Sequence, residues 1–274
     1  MTRDVIDKSS NPLAVRQAIR AGDFAAPTNG IAVDYVQCNI LIVEQKYARD
    51  FAEFCARNVK SCPVLAVSEP GSPRLPDLAD DLDLRTDLGS YRVFRNGQPS
   101  EDVSEICELW RDDFVTFAFG CSFSFEQALV RDGVDMHFLA RGDTAALYIS
   151  RFDAEAAGPF HGKIAVSMRP LTPAAAIRAI EVTQRYPAVH GAPIHIGLPE
   201  LIGIDDLNQS IEKIGRTRVM ADELPVFWAC GVTPQLAVQN AGIDMCISHT
   251  PAYMLVTDLL LSKTLDRPPL AVAF

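Results

Sequence analysis

Two cysteines pose the chemical question in this chain. Cys121 and Cys230 each stand in a Cys/Gly turn after an apolar run: FVTFAF (Phe114 to Phe119) leads into Gly120-Cys121-Ser122, and PVFWA (Pro225 to Ala229) leads into Cys230-Gly231. A turn from strand to helix is where α/β sheets bind ligands and where backbone N–H groups attract anions. A thiol near a helix N-terminus is expected to have a lowered pKa, which makes Cys121 and Cys230 candidate nucleophiles or acid/base groups. The same residues also serve simply as small core side chains.

Around these turns stand the other groups that carry chemistry. Arg169, after the run Val166 to Met168, is a candidate carboxylate clamp because its fork meets both oxygens at once. His249 follows an apolar strand (Ile243 to Ser248), and His190 sits beside a glycine; either imidazole is a candidate base or binding group. Glu126, in the first turn after Cys121, and Asp258, in the last segment, are acid candidates. Ser122 and Thr233 at the two turns, with Asn39 in the first apolar run, complete the candidate binding set. His190 and His195 are five apart, which fits neither helical nor same-face strand spacing for a metal, and no metal site is expected. Neither G-x-G-x-x-G nor G-x-x-x-x-G-K-[ST] occurs, so no nucleotide cofactor is expected, and there is no G-x-S-x-G nucleophile elbow.

The elements that must position these groups are legible in outline. Val36 to Val43 and Pro63 to Val67 read as strands, separated by a helix with Tyr47, Phe51, Phe54, Cys55 and Val59 on one face. Asp77 to Asp87 reads as a solvated acidic surface segment. Phe114 to Phe119 is uninterrupted, of the kind parallel sheets bury on both faces, and Ser124 with Gln127 fits a capping box for the helix that follows. Thr233 as cap and Pro234 at the first helical position announce a second such helix. FAFGCSFSFEQALVRDGVDM (Phe117 to Met136) and FWACGVTPQLAVQNAGIDM (Phe227 to Met245) align with one deletion, as one strand-turn-helix unit used twice. Between them lie short strands (Ala145 to Arg151, Lys163 to Met168, Pro193 to Ile196) and a helix opened by Thr172-Pro173, with Ile177 and Ile180 on one face. The expected architecture is α/β: a three-layer α/β/α domain from residues 1–130 and 198–274, with a smaller two-layer α+β domain, 131–197, inserted. The segment from Thr250-Pro251 onward reads as a final capped helix carrying Met254, Leu255, Leu259 and Leu260 on its apolar side.

Composition bounds the function. The chain has 274 residues, 48% hydrophobic and 22% charged, which suits a folded globular protein rather than a disordered or fibrous one. Thirty-five acidic against 25 basic side chains give a formal charge of −10, and no basic run offsets it, so neither nucleic acid nor an anionic membrane is an expected partner. Seven scattered cysteines without C-x-x-C, and a charged N-terminus without an apolar stretch, point to a reducing cytoplasm. The expected ligand is a small acidic metabolite, and a homo-oligomer is compatible with the sequence.

Several strings carry a family resemblance: TNGIAVDYVQCN (Thr28 to Asn39), EPGSPRLPDLADDLDLRTDLGSYRVFRNG (Glu69 to Gly97), FGCSFSFEQAL (Phe119 to Leu129), SMRP (Ser167 to Pro170), AVHGAPIHIG (Ala188 to Gly197) and PVFWACGVTPQ (Pro225 to Gln235). Over nearly its whole length the chain resembles the D-glutamate cyclase, or hydro-lyase, family. The resemblance implies a cofactor-independent lyase that closes the α-amine of D-glutamate on its γ-carboxyl, giving 5-oxo-D-proline and water, or the reverse. It assigns no catalytic residues. The chain departs from the family pattern at Ile149 to Arg151, at Leu198 and at Ala252-Tyr253. Those departures motivate an alternative from another class, a non-catalytic or regulatory binder of an acidic metabolite. A cysteine-nucleophile hydrolase is a third reading, with no histidine in a recognisable sequence relation to either cysteine.

Overall fold

The computed structural model describes residues 6–141, 143–211 and 218–271. In chain order the elements are α1 (Pro12–Arg20), β1 (Tyr35–Glu44), α2 (Gln45–Arg57), β2 (Val64–Val67), β3 (Tyr91–Arg95), β4 (Gln98–Val103), β5 (Phe114–Gly120), α3 (Ser122–Arg131), α4 (His137–Ala140), β6 (Ala146–Ala157), β7 (Phe160–Leu171), α5 (Pro173–Thr183), β8 (His195–Ile196), β9 (Leu224–Ala229), α6 (Thr233–Ala241), β10 (Met245–His249) and β11 (Leu255–Leu260). This is a mixed helix-and-sheet fold with two sheets. The larger runs β2-β5-β1-β10-β3-β4, with β11 also paired to β1; the smaller runs β6-β7-β9-β8.

β5 is buried along its whole length, as an uninterrupted apolar run requires, but its neighbours β1 and β2 are both antiparallel to it. Double-sided burial comes here from cover on both faces rather than from parallel pairing. Val115, Phe117 and Phe119 join Phe51 and Phe54 of α2, while Phe114 and Ala118 face a second cluster containing Phe125 of α3 and Trp228 of β9. Phe51 meets Phe117 edge-on at 4.9 Å, a favoured aromatic geometry.

The twin units hold as local structure: β5 turns through Cys121 into α3, and β9 turns through Cys230 and Gly231 into α6. Each helix runs into a left-handed glycine, Gly133 or Gly242, after which Met136 leads into α4 and Met245 opens β10. One unit lies in each sheet. The smaller sheet therefore takes β6, β7 and β8 from the middle of the chain and β9 from beyond residue 198.

Several local expectations are corrected. The segment after Thr250 is not a helix: Leu255–Leu260 forms β11, where Leu255 and Val256 pair with β1 and the Thr257 hydroxyl donates to the Val36 carbonyl at 2.7 Å. The free edge of β1 supplies what an isolated Thr-Pro cap signal cannot outweigh. Ser124 does not cap α3; its Oγ accepts from the Gln37 N–H at 3.0 Å, and Cys121 occupies the cap position. Val232, not Thr233, precedes α6 as its cap residue. Thr172 does cap α5, accepting from Ala175 N–H, but that helix buries Ala175, Ala176 and Ala179 and leaves Ile177 outside. The 77–87 segment is less solvated than its acids suggest. Leu78, Leu82 and Leu84 enter the core, and Asp87, fully buried, pairs with Arg20.

Candidate active site

The two Cys/Gly turns meet across Asn39. Its Nδ2 donates to the Gly120 carbonyl at 3.2 Å, and the same side-chain amide packs on Gly231 so closely that any side chain there would run into it. Gly120 is hemmed in likewise, by the Ala188 carbonyl, so the first turn has no room for a side chain at that position either. The second turn is held by Thr233, whose hydroxyl donates to the Cys230 carbonyl at 2.8 Å and accepts from Ala165 N–H at 3.0 Å.

Between the turns lies a cavity of about 50 Å³, walled by Asn39, Cys121, Ser122, Ser167, Cys230 and His249 with an apolar remainder that includes Leu147 and Met254. That is room for a few waters or one end of a small acid. Larger surface grooves exist, such as one of about 300 Å³ between α3 and α5, but it is lined by ion-paired Arg178 and Asp132 and gathers none of these groups.

Arg169 lies beneath the cavity rather than in it. Fully buried on β7, it donates from Nε and Nη2 to Glu126 Oε1 at 2.8 and 2.6 Å, and its guanidinium stacks 4.8 Å from the Phe125 ring and 5.4 Å from Trp228. Its carboxylate partner is thus Glu126 of the same chain. Two further N–H groups go to serines: Nη1 to Ser167 Oγ and Nη2 to Ser122 Oγ, both at 3.0 Å. A guanidinium only donates, so each hydroxyl spends a lone pair on it and keeps its own O–H to donate elsewhere. Both serines line the cavity, and neither O–H has an acceptor among the described residues.

His249 closes another wall for a reason rooted in the sheet. The edge of β1 is paired with β10 at Leu41 to Val43 and with β11 at Cys38, which leaves Ile40 between the two strands. The imidazole fills that gap, with Nδ1 3.3 Å from the Ile40 nitrogen and 3.4 Å from its oxygen. Nε2 has no partner among the described residues. Burial, reinforced by the Arg92 charge and only partly opposed by the Ile40 contact, lowers the imidazole pKa to about 4, so the ring is neutral at physiological pH.

The thiols behave opposite to the sequence expectation. Burial pushes Cys121 up to about 12, against the Phe123 N–H that favours its thiolate, and burial raises Cys230 against the N–H groups of Val232 and Gly231. Desolvation outweighs the helix N-terminus at both turns, and both sulfurs are protonated thiols at neutral pH.

Of the candidate residues, Asn39, Cys121, Ser122, Cys230 and His249 come together on the cavity wall. Glu126, Arg169 and Thr233 stand behind it. His190 is buried with Nδ1 2.9 Å from the Lys60 carbonyl, held in a left-handed conformation in the loop that covers Gly120, and its pKa is lowered to about 4 by burial. Asp258 lies on β11 at the surface, paired with Arg16. Ser167 was missing from the candidates; it stands two residues before Arg169 on a strand, and strand parity alone puts the two on one face. Of the departures from the family pattern, Ala252 lines the cavity, whereas Ile149 and Leu198 are exposed and outside it. No group of three or more potential metal ligands occurs among the described residues, and no helix there is long and apolar enough to cross a membrane.

Comparison with known proteins gives the chain a family. Proteins named "Putative hydro-lyase" match along most of the chain: one from Rhizobium johnstonii is 53% identical over 91% of this chain and 92% of its own, and one from Afipia carboxidovorans 51% identical over 94% and 96%. One from Verminephrobacter eiseniae is 51% identical over 89% of both chains. A nitrogen repressor-like protein from Methanococcus jannaschii aligns over 86% of this chain and 91% of its own at 11% identity with a TM-score of 0.37, too slight a likeness to bear on the fold. The protein is a lyase of the hydro-lyase type. Residues 115–258, from β5 through most of β11 and including every cavity group named above except Asn39, match the D-glutamate cyclase model, and the chain belongs to that family.

Proposed function

We propose that the cavity between the two Cys/Gly turns seats a carboxylate of an acidic amino acid and dehydrates it by ring closure, with D-glutamate as substrate and 5-oxo-D-proline and water as products. The observation that carries this reading is the pair of serine hydroxyls fixed by Arg169. Ser122 and Ser167 each present a proton to the cavity and cannot turn it back on a guanidinium. Two O–H donors side by side suit the two oxygens of one carboxylate.

The walls supply the rest of the chemistry. His249, neutral and with Nε2 unpartnered among the described residues, takes a proton from the α-ammonium so that the amine can attack the γ-carboxyl carbon. The carbon–oxygen bond then breaks, and the departing oxygen leaves as water with one proton from the Cys121 thiol, which burial keeps protonated, and a second from the attacking nitrogen, which becomes the amide N–H. Return of the proton from His249 to the sulfur restores the site. In this reading Arg169 and Glu126 are positioning residues, acting through the serines. The free state of all seven cysteines suits a reducing compartment, and we place the protein in the cytoplasm.

The test is direct. Purified protein is incubated separately with D-glutamate and L-glutamate, without added metal or nucleotide, and ring-proton signals are followed by NMR. Ring closure of D-glutamate supports the reading, and inertness of both enantiomers refutes it.

A further inference from the structure

Cys230 has no part in the reaction just described, yet it is placed like Cys121. Each cysteine follows the last residue of a strand, one from each sheet; Cys121 caps α3 directly and Cys230 stands three residues before α6, and each is favoured as thiolate by the N–H two residues on, from Phe123 or Val232. Both line the same cavity, and the Asn39 side chain hydrogen-bonds to one of their turns and packs on the other. A second sign of a ligand in the same cavity is His249, 2% exposed, with Nε2 unpartnered among the described residues.

We propose that Cys121 and Cys230 form a two-thiol pair that moves the α-proton of the bound amino acid, giving the site a second activity, cofactor-independent racemisation of the acidic amino acid it holds. The inference rests on the carboxylate-binding reading above. In the step, one sulfur enters as thiolate and takes the Cα proton, breaking the C–H bond. The electron pair delocalises into the α-carboxylate, whose oxygens the Ser122 and Ser167 hydroxyls hold. The other sulfur, as thiol, returns a proton to the opposite face of Cα. Thiol and thiolate exchange places, and no oxidant, reductant or further reactant is needed. The thiolate forms as the neutral His249 imidazole on the same cavity wall takes the proton of one thiol, and the imidazolium so formed then favours the anion, Arg169 being already matched by Glu126. Similar surroundings for the two sulfurs are what a reversible exchange between mirror-image substrates requires.

The experiment incubates the full-length protein with D-glutamate and with L-glutamate in D2O. Loss of the Cα proton and formation of the 5-oxoproline ring are read by NMR in the same tube, and the enantiomers are separated by chiral chromatography. Deuterium at Cα with appearance of the opposite enantiomer is expected, and Cys121→Ser and Cys230→Ser, each with a wild-type melting midpoint, should slow it at least 100-fold. If a serine variant does not fold, the alanine variant at that position takes its place. Ring closure with the Cα proton retained overturns this inference and leaves the cyclase reading standing. Exchange without ring closure supports the inference and refutes the cyclase reading, and neither reaction with either enantiomer overturns both. Exchange that persists in a folded Cys230 variant also overturns it.

Discussion

Arg169 and Ser167 stand two residues apart on one face of β7, and the arginine Nη1 donates to the serine hydroxyl at 3.0 Å while Glu126 occupies the other side of the guanidinium. The charge is therefore spent inside the protein, and what reaches the cavity is an oriented O–H. This arrangement separates stability from recognition, and the two are measurable apart.

Removing one partner of the buried pair leaves the other uncompensated. Glu126→Ala should cost about 3–5 kcal/mol of unfolding free energy, and Glu126→Gln, which keeps an acceptor for Arg169, clearly less. Chemical denaturation of the two variants checks this. An Arg169→Met, Glu126→Leu double variant should recover much of the stability but not the activity, because nothing then fixes the serines.

The two buried imidazoles set an acid limit on stability. Their folded pKa values of about 4 lie below the ordinary 6.5, so between these values the unfolded chain binds more protons than the folded one. Stability is full above about pH 6.5 and falls as the pH drops towards 4, by on the order of 3 kcal/mol for each histidine. Denaturant midpoints at pH 7 and pH 5 should differ by less in His190→Gln and His249→Gln than in the wild type.

Room at the turns is a third check. Gly120→Ala drives a methyl group into the Ala188 backbone carbonyl and should cost about 1–3 kcal/mol, with no side chain able to give way. In Gly231→Ala the nearest clashes are all with the Asn39 side chain, so Asn39→Ala should relieve part of its cost. A double-mutant cycle on melting midpoints should show that coupling. Additive effects would mean that Asn39 does not join the two turns.

How much of this was legible in the residues varies with the range of the signal. Strand, Cys/Gly turn and helix could be read twice because apolar runs, small residues and Thr-Pro lie within a dozen positions of one another. Cys121, Ser122 and Cys230 reach one cavity because those turns place them, and Asn39 of β1 and His249 of β10 join them there. The partner of Arg169 was not legible, since Glu126 is 43 residues away and meets it only through packing of α3 on the smaller sheet. The final segment misled for a related reason: Thr250-Pro251 is a local helix signal, and the open edge of β1 that captures β11 is more than 200 positions away. Burial likewise reversed the expected shift of both thiols, which spacing alone does not reveal.

The serines themselves carry the recognition. Losing one hydrogen bond to a charged group costs about 1.5–3 kcal/mol, so Ser122→Ala and Ser167→Ala should each raise KM for the acid roughly 10- to 100-fold in protein that remains folded, while each also lowers the melting midpoint because a buried Arg169 N–H loses its acceptor, at about 1–3 kcal/mol. An unchanged KM in both would remove the serines from binding.

The most direct test of the account follows ring closure of D-glutamate by proton NMR in the wild type, in the Ser122→Ala, Ser167→Ala double variant and in His249→Gln. The account predicts 5-oxoproline from the wild type, a rate at low substrate reduced at least 100-fold in the double variant, and no rescue of His249→Gln by raising substrate. Equal rates in all three folded proteins would contradict it and place the chemistry outside this cavity.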